Sequence, residues 1–140
     1  MKAVLDASVL VRAVVPGQAY HREVRDWMRG VSEPLAPHLM PFEVATAIRH
    51  LEFIGLIAPA TAEAALAEAL RLRVGLRASR EMHLHALRLA RELQVSRTRD
   101  TAYLALALRE GCPLFTLDER FLRNAASRGY PVRHPVADVT

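Results

Sequence analysis

The sequence predicts an α/β protein of three layers, α/β/α, built on a central, mainly parallel sheet. Two observations carry this. Short strand-like runs (residues 3–5, 35–39, 72–76, 114–117 and 131–133) alternate along the chain with stretches of helical character. Strands separated by helices pair in parallel, because the crossover helix returns the chain to the starting edge of the sheet. The second observation is that carboxylates stand at strand ends. Asp6 closes the first run and Asp118 the fourth, and parallel sheets bind ligands beyond the carboxyl ends of their strands.

Each element follows from its own residues. Past an Asp-Ala-Ser corner, residues 9–15 read as a short helix stopped by Pro16-Gly17. Residues 20–28 place Tyr20, Val24, Trp27 and Met28 close to a 3.6-residue period, and this helix ends at Gly30. Residues 35–39 are a brief strand punctuated by prolines. Pro41 suits the first turn of a helix that runs to residue 54 and breaks at Gly55. Another helix starts near Pro59 and crosses an alanine-rich stretch to residue 70. Residues 72–76 alternate as a short strand does. Residues 81–93 and 98–109 read as helices, the second stopped at Gly111. A strand at 114–117, a helix at 119–127 closing at Gly129 and an edge strand at 131–133 complete the chain. With no internal repeat and no low-complexity linker, residues 1–140 are expected to form one domain.

Composition narrows the class. Hydrophobic content of 51 % and charged content of 24 % are ordinary for a globular protein. No apolar run approaches the roughly 20 residues of a membrane span. The strand-like segment that directly follows Met1-Lys2 is too short and polar for a signal peptide, so a cytoplasmic location is expected. The single cysteine, Cys112, excludes an internal disulfide and a cysteine-cluster metal site, and reads as a small buried hydrophobe. Net charge is +4, and Lys2 is the only lysine among 19 basic residues. A basic balance favours a polyanionic partner, nucleic acid first, although arginine in place of lysine also follows from a GC-rich genome.

The chemistry concentrates in four acidic residues. Asp6 ends an apolar run, Glu43 stands among Phe42, Val44, Ala45 and Ala47, Asp100 opens the stretch 101–108, and Asp118 ends the run 113–117. A carboxylate beside apolar sequence costs free energy unless it is paired or metal-bound. No run of cations accompanies these four, although Arg99 and Arg120 lie close in sequence. The set points to one shared cation, and hard oxygen ligands favour Mg²⁺ or Mn²⁺ over zinc.

Each acid also has an ordinary role open to it. Asp6 can cap the helix that follows, with Ser8 supporting it as a donor or capping the helix itself. Glu43 and Asp100 lie in first helical turns, where a carboxylate gains about 0.3–1 kcal/mol from the helix dipole. Asp118 can cap the helix from Glu119, with Thr116 and Glu119 as a capping box. All four acids together are harder to assign that way. His83 and His85 are two apart, on different helical faces, which argues against a paired metal site. No phosphate loop, nucleophile elbow or Cys-x-x-Cys is present. Arg22, Arg25 and Arg29 form a solvated stripe. Arg97 and Arg99 flank the Asp100 helix and are placed either to meet phosphates or simply to face solvent.

These residues carry a resemblance. Val-Leu-Asp-Ala-Ser at 4–8, Phe-Glu-Val-Ala at 42–45, Arg-Asp-Thr-Ala-Tyr-Leu-Ala-Leu-Ala at 99–107 and Thr-Leu-Asp-Glu-Arg-Phe at 116–121 resemble a PIN domain. More narrowly, they resemble the toxin ribonucleases of VapBC toxin–antitoxin pairs. The likeness spans nearly the whole chain and is most specific between Asp100 and Phe121. It implies a parallel sheet flanked by helices and Mg²⁺- or Mn²⁺-dependent endoribonuclease activity leaving 5′-phosphate and 3′-hydroxyl ends. It assigns catalysis and metal binding to Asp6, Glu43, Asp100 and Asp118, with Ser8 and Thr116 as polar accessories. It also implies a homodimer and a small antitoxin partner of VapB type. One departure is Pro41-Phe42 directly before Glu43, where a longer helical lead-in is usual.

Two other classes compete. A phospho-receiver domain also gathers strand-end aspartates but needs a strand-end lysine, and Lys2 precedes the first strand. A PIN-like module that has lost catalysis and only binds is opposed by the intact acidic quartet. The alanine-rich helix supports the dimer, since Ala60, Ala64, Ala65, Leu66, Ala67, Ala69 and Leu70 exceed one core-facing stripe. Helix propensity alone also accounts for those alanines.

Overall fold

The structure, a computed structural model, describes residues 1–136. Among these residues five parallel strands lie in the order β3-β2-β1-β4-β5: β1 (Lys2–Leu5), β2 (Glu33–Pro37), β3 (Gly75–Arg77), β4 (Leu114–Phe115) and β5 (Val132–Arg133). Among the described residues seven helices surround them: α1 (Ala7–Val14), α2 (His21–Met28), α3 (Met40–Phe53), α4 (Pro59–Arg71), α5 (Arg80–Leu93), α6 (Arg99–Glu110) and α7 (Glu119–Ser127). This is the three-layer α/β/α arrangement expected from the alternation of strands and helices.

β1 is the centre because it is apolar on both faces. Ala3, Val4 and Leu5 are all fully buried, the mark of a strand covered from both sides. α6 packs on β1, β2 and β4 and also on α5; its run Leu104, Ala105, Leu106 and Ala107 is buried all round. α1 packs against α2, α3 and α4. Register then positions the site. Leu5 pairs with Phe115, so the next residues, Asp6 and Thr116, leave the sheet side by side.

Several boundaries differ from the sequence expectation, each for a local reason. α1 begins at Ala7, not residue 9, because Asp6 itself is the extended N-cap residue (φ −66°, ψ 151°). α2 begins at His21 because Tyr20 adopts a left-handed conformation (φ 67°). β2 covers residues 33–37, with its prolines at the ends of the ladder to β3: Pro34 precedes that register and Pro37 closes it. The third strand lies at Gly75–Arg77 because Leu72 terminates α4. β4 stops at Phe115 because Thr116 turns into the corner with Asp6. Cys112 is buried, as a small hydrophobe would be.

α5 has a local anchor that can be tested. Ser79 is its N-cap, and its hydroxyl accepts the Met82 amide at 3.2 Å. Ser79→Ala should lower unfolding free energy by about 1 kcal/mol, measured by urea denaturation. An unchanged midpoint would show that packing of α5 on α6 alone holds this terminus.

Candidate active site

The corner where β1 and β4 end is organised around one carboxylate oxygen. Ser8 donates to Asp6 Oδ2 at 2.6 Å, and Thr116 donates to the same oxygen at 3.0 Å. Both hydroxyls are themselves held by backbone donors: Leu117 N–H reaches Ser8 at 3.0 Å, and Asp118 N–H reaches Thr116 at 3.1 Å. A hydroxyl has one proton, so accepting an amide leaves that proton free for Asp6. The turn after β4 thereby sets the direction of both bonds. The capping role does not describe Asp6, whose side chain makes no cap bond to α1.

Glu43 enters from the first turn of α3, with Pro41 just before it. Its Oε1 accepts the Tyr103 hydroxyl at 2.7 Å, and its Oε2 pairs with Arg99 Nε at 3.3 Å. Both partners belong to α6, as does Asp100. A hollow of about 630 Å³ is lined by Asp6, Ser8, Phe42, Glu43, Arg99 and Asp100, with His50 among its other walls. Asp118 lies outside that lining. It is exposed and caps α7, its Oδ1 accepting the Phe121 amide at 3.1 Å.

The electrostatics show crowded negative charge. Asp100 is raised to about 6, first by burial, then by the charges of Asp6 and Asp118, with Arg99 opposing and Glu43 adding. Burial also raises Asp6, against the hydroxyls of Ser8 and Thr116 and nearby backbone amides. Burial raises Glu43 too, opposed by Tyr103 and Arg99 and reinforced by Asp6. Tyr103 is pushed up by burial and by Glu43, so it stays a donor.

Three of the four sequence-predicted acids, Asp6, Glu43 and Asp100, therefore share one hollow, and Asp118 acts on it through its field. Ser8 and Thr116 converge on Asp6. Arg99 lines the hollow, whereas Arg97 is simply exposed. Tyr103 was missed: it sits three residues after Asp100 on the same helix, but its partner is 60 positions away. Hard carboxylate oxygens short of positive charge are the donor chemistry that Mg²⁺ or Mn²⁺ takes. As the side chains stand, no group of three or more His, Cys, Asp or Glu among the described residues is gathered to hold an ion. The carboxylates share a field rather than a finished cage. The receiver alternative finds no lysine here, since Lys2 Nζ pairs with Glu110 at 3.6 Å, at the start of β1.

Residues 3–127 match the PIN domain family, and the chain belongs to it. Among curated proteins none matches the sequence. In fold the chain is similar to VapC20 of Mycobacterium tuberculosis, a toxin that cleaves the sarcin-ricin loop. That match has a TM-score of 0.70 at 16 % identity, covering 92 % of this chain and 96 % of that one. It is also similar to a toxin–antitoxin complex from Klebsiella pneumoniae (TM-score 0.64, 17 % identity, 96 % and 98 % covered). A third fold relative is VapBC2 of Rickettsia felis bound to a promoter DNA fragment (TM-score 0.65, 14 % identity, 96 % and 98 % covered). No helix of the described residues is long and apolar enough to cross a membrane.

Proposed function

We propose that this protein is a Mg²⁺- or Mn²⁺-dependent endoribonuclease, the toxin of a type II toxin–antitoxin pair. The observation that carries this reading is the hollow that Asp6, Glu43 and Asp100 all line, with Asp118 close enough to raise Asp100. Family membership and the toxin fold relatives support it. A divalent cation held by these carboxylates would acidify a water and neutralise charge on the scissile phosphate.

The chain's own residues divide the remaining work. Asp6, Asp100 and Glu43 supply the anionic oxygens, with Asp118 adding negative field. Ser8 and Thr116 fix the orientation of Asp6 and favour its ionised form. Arg99, 56 % exposed, stands at the rim where an RNA phosphate would arrive. Phe42, 80 % exposed on the same hollow, offers a face on which an unpaired base can stack. Water is the nucleophile, and no side chain is needed in that role.

The fold relatives solved as toxin–antitoxin assemblies support an antitoxin partner for this chain. Apolar surface fits such a partner, or a second copy in a homodimer: Phe53, Ile54 and Leu56 are exposed at the end of α3, and Leu70 on α4. On α4 itself, Ala62, Ala65 and Ala69 face the core, so only Ala60, Ala64, Ala67 and Leu70 remain outward.

Incubating RNA with purified protein, with Mg²⁺ or Mn²⁺ supplied, chelated and restored, tests the reading. Cleavage that stops on chelation and returns on restoration is the expected result. Cleavage indifferent to metal, or none under any condition, would overturn it.

A further inference from the structure

Tyr103 spends its only proton on a carboxylate from another element. Its side chain is 1 % exposed, and its hydroxyl donates to Glu43 Oε1 at 2.7 Å. A tyrosine kept for packing alone would be served by phenylalanine, because the ring fills the core and the hydroxyl adds a polar atom that must be satisfied. The partner here is the acid that α3 sends into the hollow. A bond to an ionised carboxylate is among the stronger hydrogen bonds a protein makes.

The geometry also sorts the two partners of Glu43. Tyr103 is buried on α6, three residues from Asp100 and so on the same side of that helix. Arg99 grips Oε2 from the rim and is 56 % exposed. The arginine is free to exchange Glu43 for an incoming anion, whereas the tyrosine cannot leave without opening the core. A glutamate side chain has three torsions to fix, and one buried donor on a rigid helix removes most of that freedom.

We propose that Tyr103 is a positioning residue: its hydroxyl holds Glu43 in register with Asp100, so that both carboxylates can serve one divalent cation. This rests on the metal-nuclease reading and assigns a further residue to the same site. Arg99 then serves as the exchangeable partner, pairing with Glu43 until cation and RNA arrive.

The test uses Mn²⁺ alone as the probe, followed by electron paramagnetic resonance, in wild type, Tyr103→Phe, Glu43→Ala and the double variant. RNA cleavage at saturating Mn²⁺ and thermal melting are measured alongside. Tyr103→Phe should weaken Mn²⁺ binding by about tenfold, the mild end of what loss of a ligand's supporting hydrogen bond costs. It should lower the cleavage rate constant with little change in the KM for RNA. In the Glu43→Ala background the same substitution should change Mn²⁺ binding no further. Wild-type binding and cleavage by Tyr103→Phe would overturn the proposal while leaving the nuclease reading intact. An equal loss in both backgrounds would also overturn it, because the hydroxyl would then act through the fold and not through Glu43. A wild-type protein that neither binds Mn²⁺ nor cleaves RNA would overturn the nuclease reading, and this inference with it.

Discussion

Asp100→Asn should reduce RNA cleavage by about a hundredfold to a thousandfold or more, while making the cation-free protein more stable at neutral pH. The two effects have one source. Asp100 lies where burial and the charges of Asp6, Asp118 and Glu43 oppose its ionisation, and only Arg99 favours it. A carboxylate raised from 3.8 to about 6 binds its proton more tightly folded than unfolded. Its contribution to stability is therefore complete below the unfolded value and is lost as pH rises through the folded one. Above that window the ionised group destabilises the fold by about 1–2 kcal/mol, allowing for solvent screening of a partly exposed site. Asparagine keeps the shape and removes the charge. Thermal melting in a chelator from pH 4 to 8 should show the two proteins parting as pH rises from about 4 and staying apart above about 6, with the variant on top. A wild type more stable than Asp100→Asn at pH 7.5 would contradict the crowding. Asp6→Asn should lose activity as fully, but its stability is less simple, because Ser8 and Thr116 donate to the oxygen being altered.

Which parts of this were legible in the sequence depends on how far apart the interacting residues lie. Asp6 could be placed because it ends a strand, and parallel strands deliver their C-terminal residues to one edge, whereas Thr116 reads as part of the strand 114–117 and stands past its end only in the structure. Asp100 could be placed because it opens the helix that covers the central strands. Asp118 reads equally as ligand and cap from sequence, and the structure shows the cap bond to Phe121 together with its field on Asp100. The grip of Tyr103 and Arg99 on Glu43 had no local signal, since α3 and α6 are separated in sequence by α4, β3 and α5 and these side chains meet only in the fold. The third strand slipped toward the C-terminus for a related reason. Residues 72–76 alternate in polarity, but the register is set by Leu35 against Gly75, a contact that periodicity does not encode. The alanine-rich helix shows the same limit: which alanines face the core depends on its packing against α1 and α3.

Removing both hydroxyls at the corner, Ser8→Ala with Thr116→Ala, should cut cleavage at pH 7 by about tenfold to a hundredfold and move the acidic limb of the pH–rate profile upward. Burial already raises Asp6, and Ser8 and Thr116 are the largest influences holding it down. Without them only the backbone amides of Ser8 and Ala7 oppose the cost of burial, and the Asp6 carboxyl is pushed further up. A protonated Asp6 offers a cation little, so activity should recover as the solution becomes more alkaline. Stability should fall as well, by about 2–4 kcal/mol where Asp6 is ionised, because a buried charge loses two donors. The amides of Leu117 and Asp118 lose their acceptors at the same time, which loosens the turn that links β4 to α7. Either single variant should give a smaller effect, since one hydroxyl still reaches Oδ2. The pH–rate profile separates this account from simple loosening: a lower rate with an unmoved acidic limb would mean that the hydroxyls hold the corner together without setting the charge on Asp6.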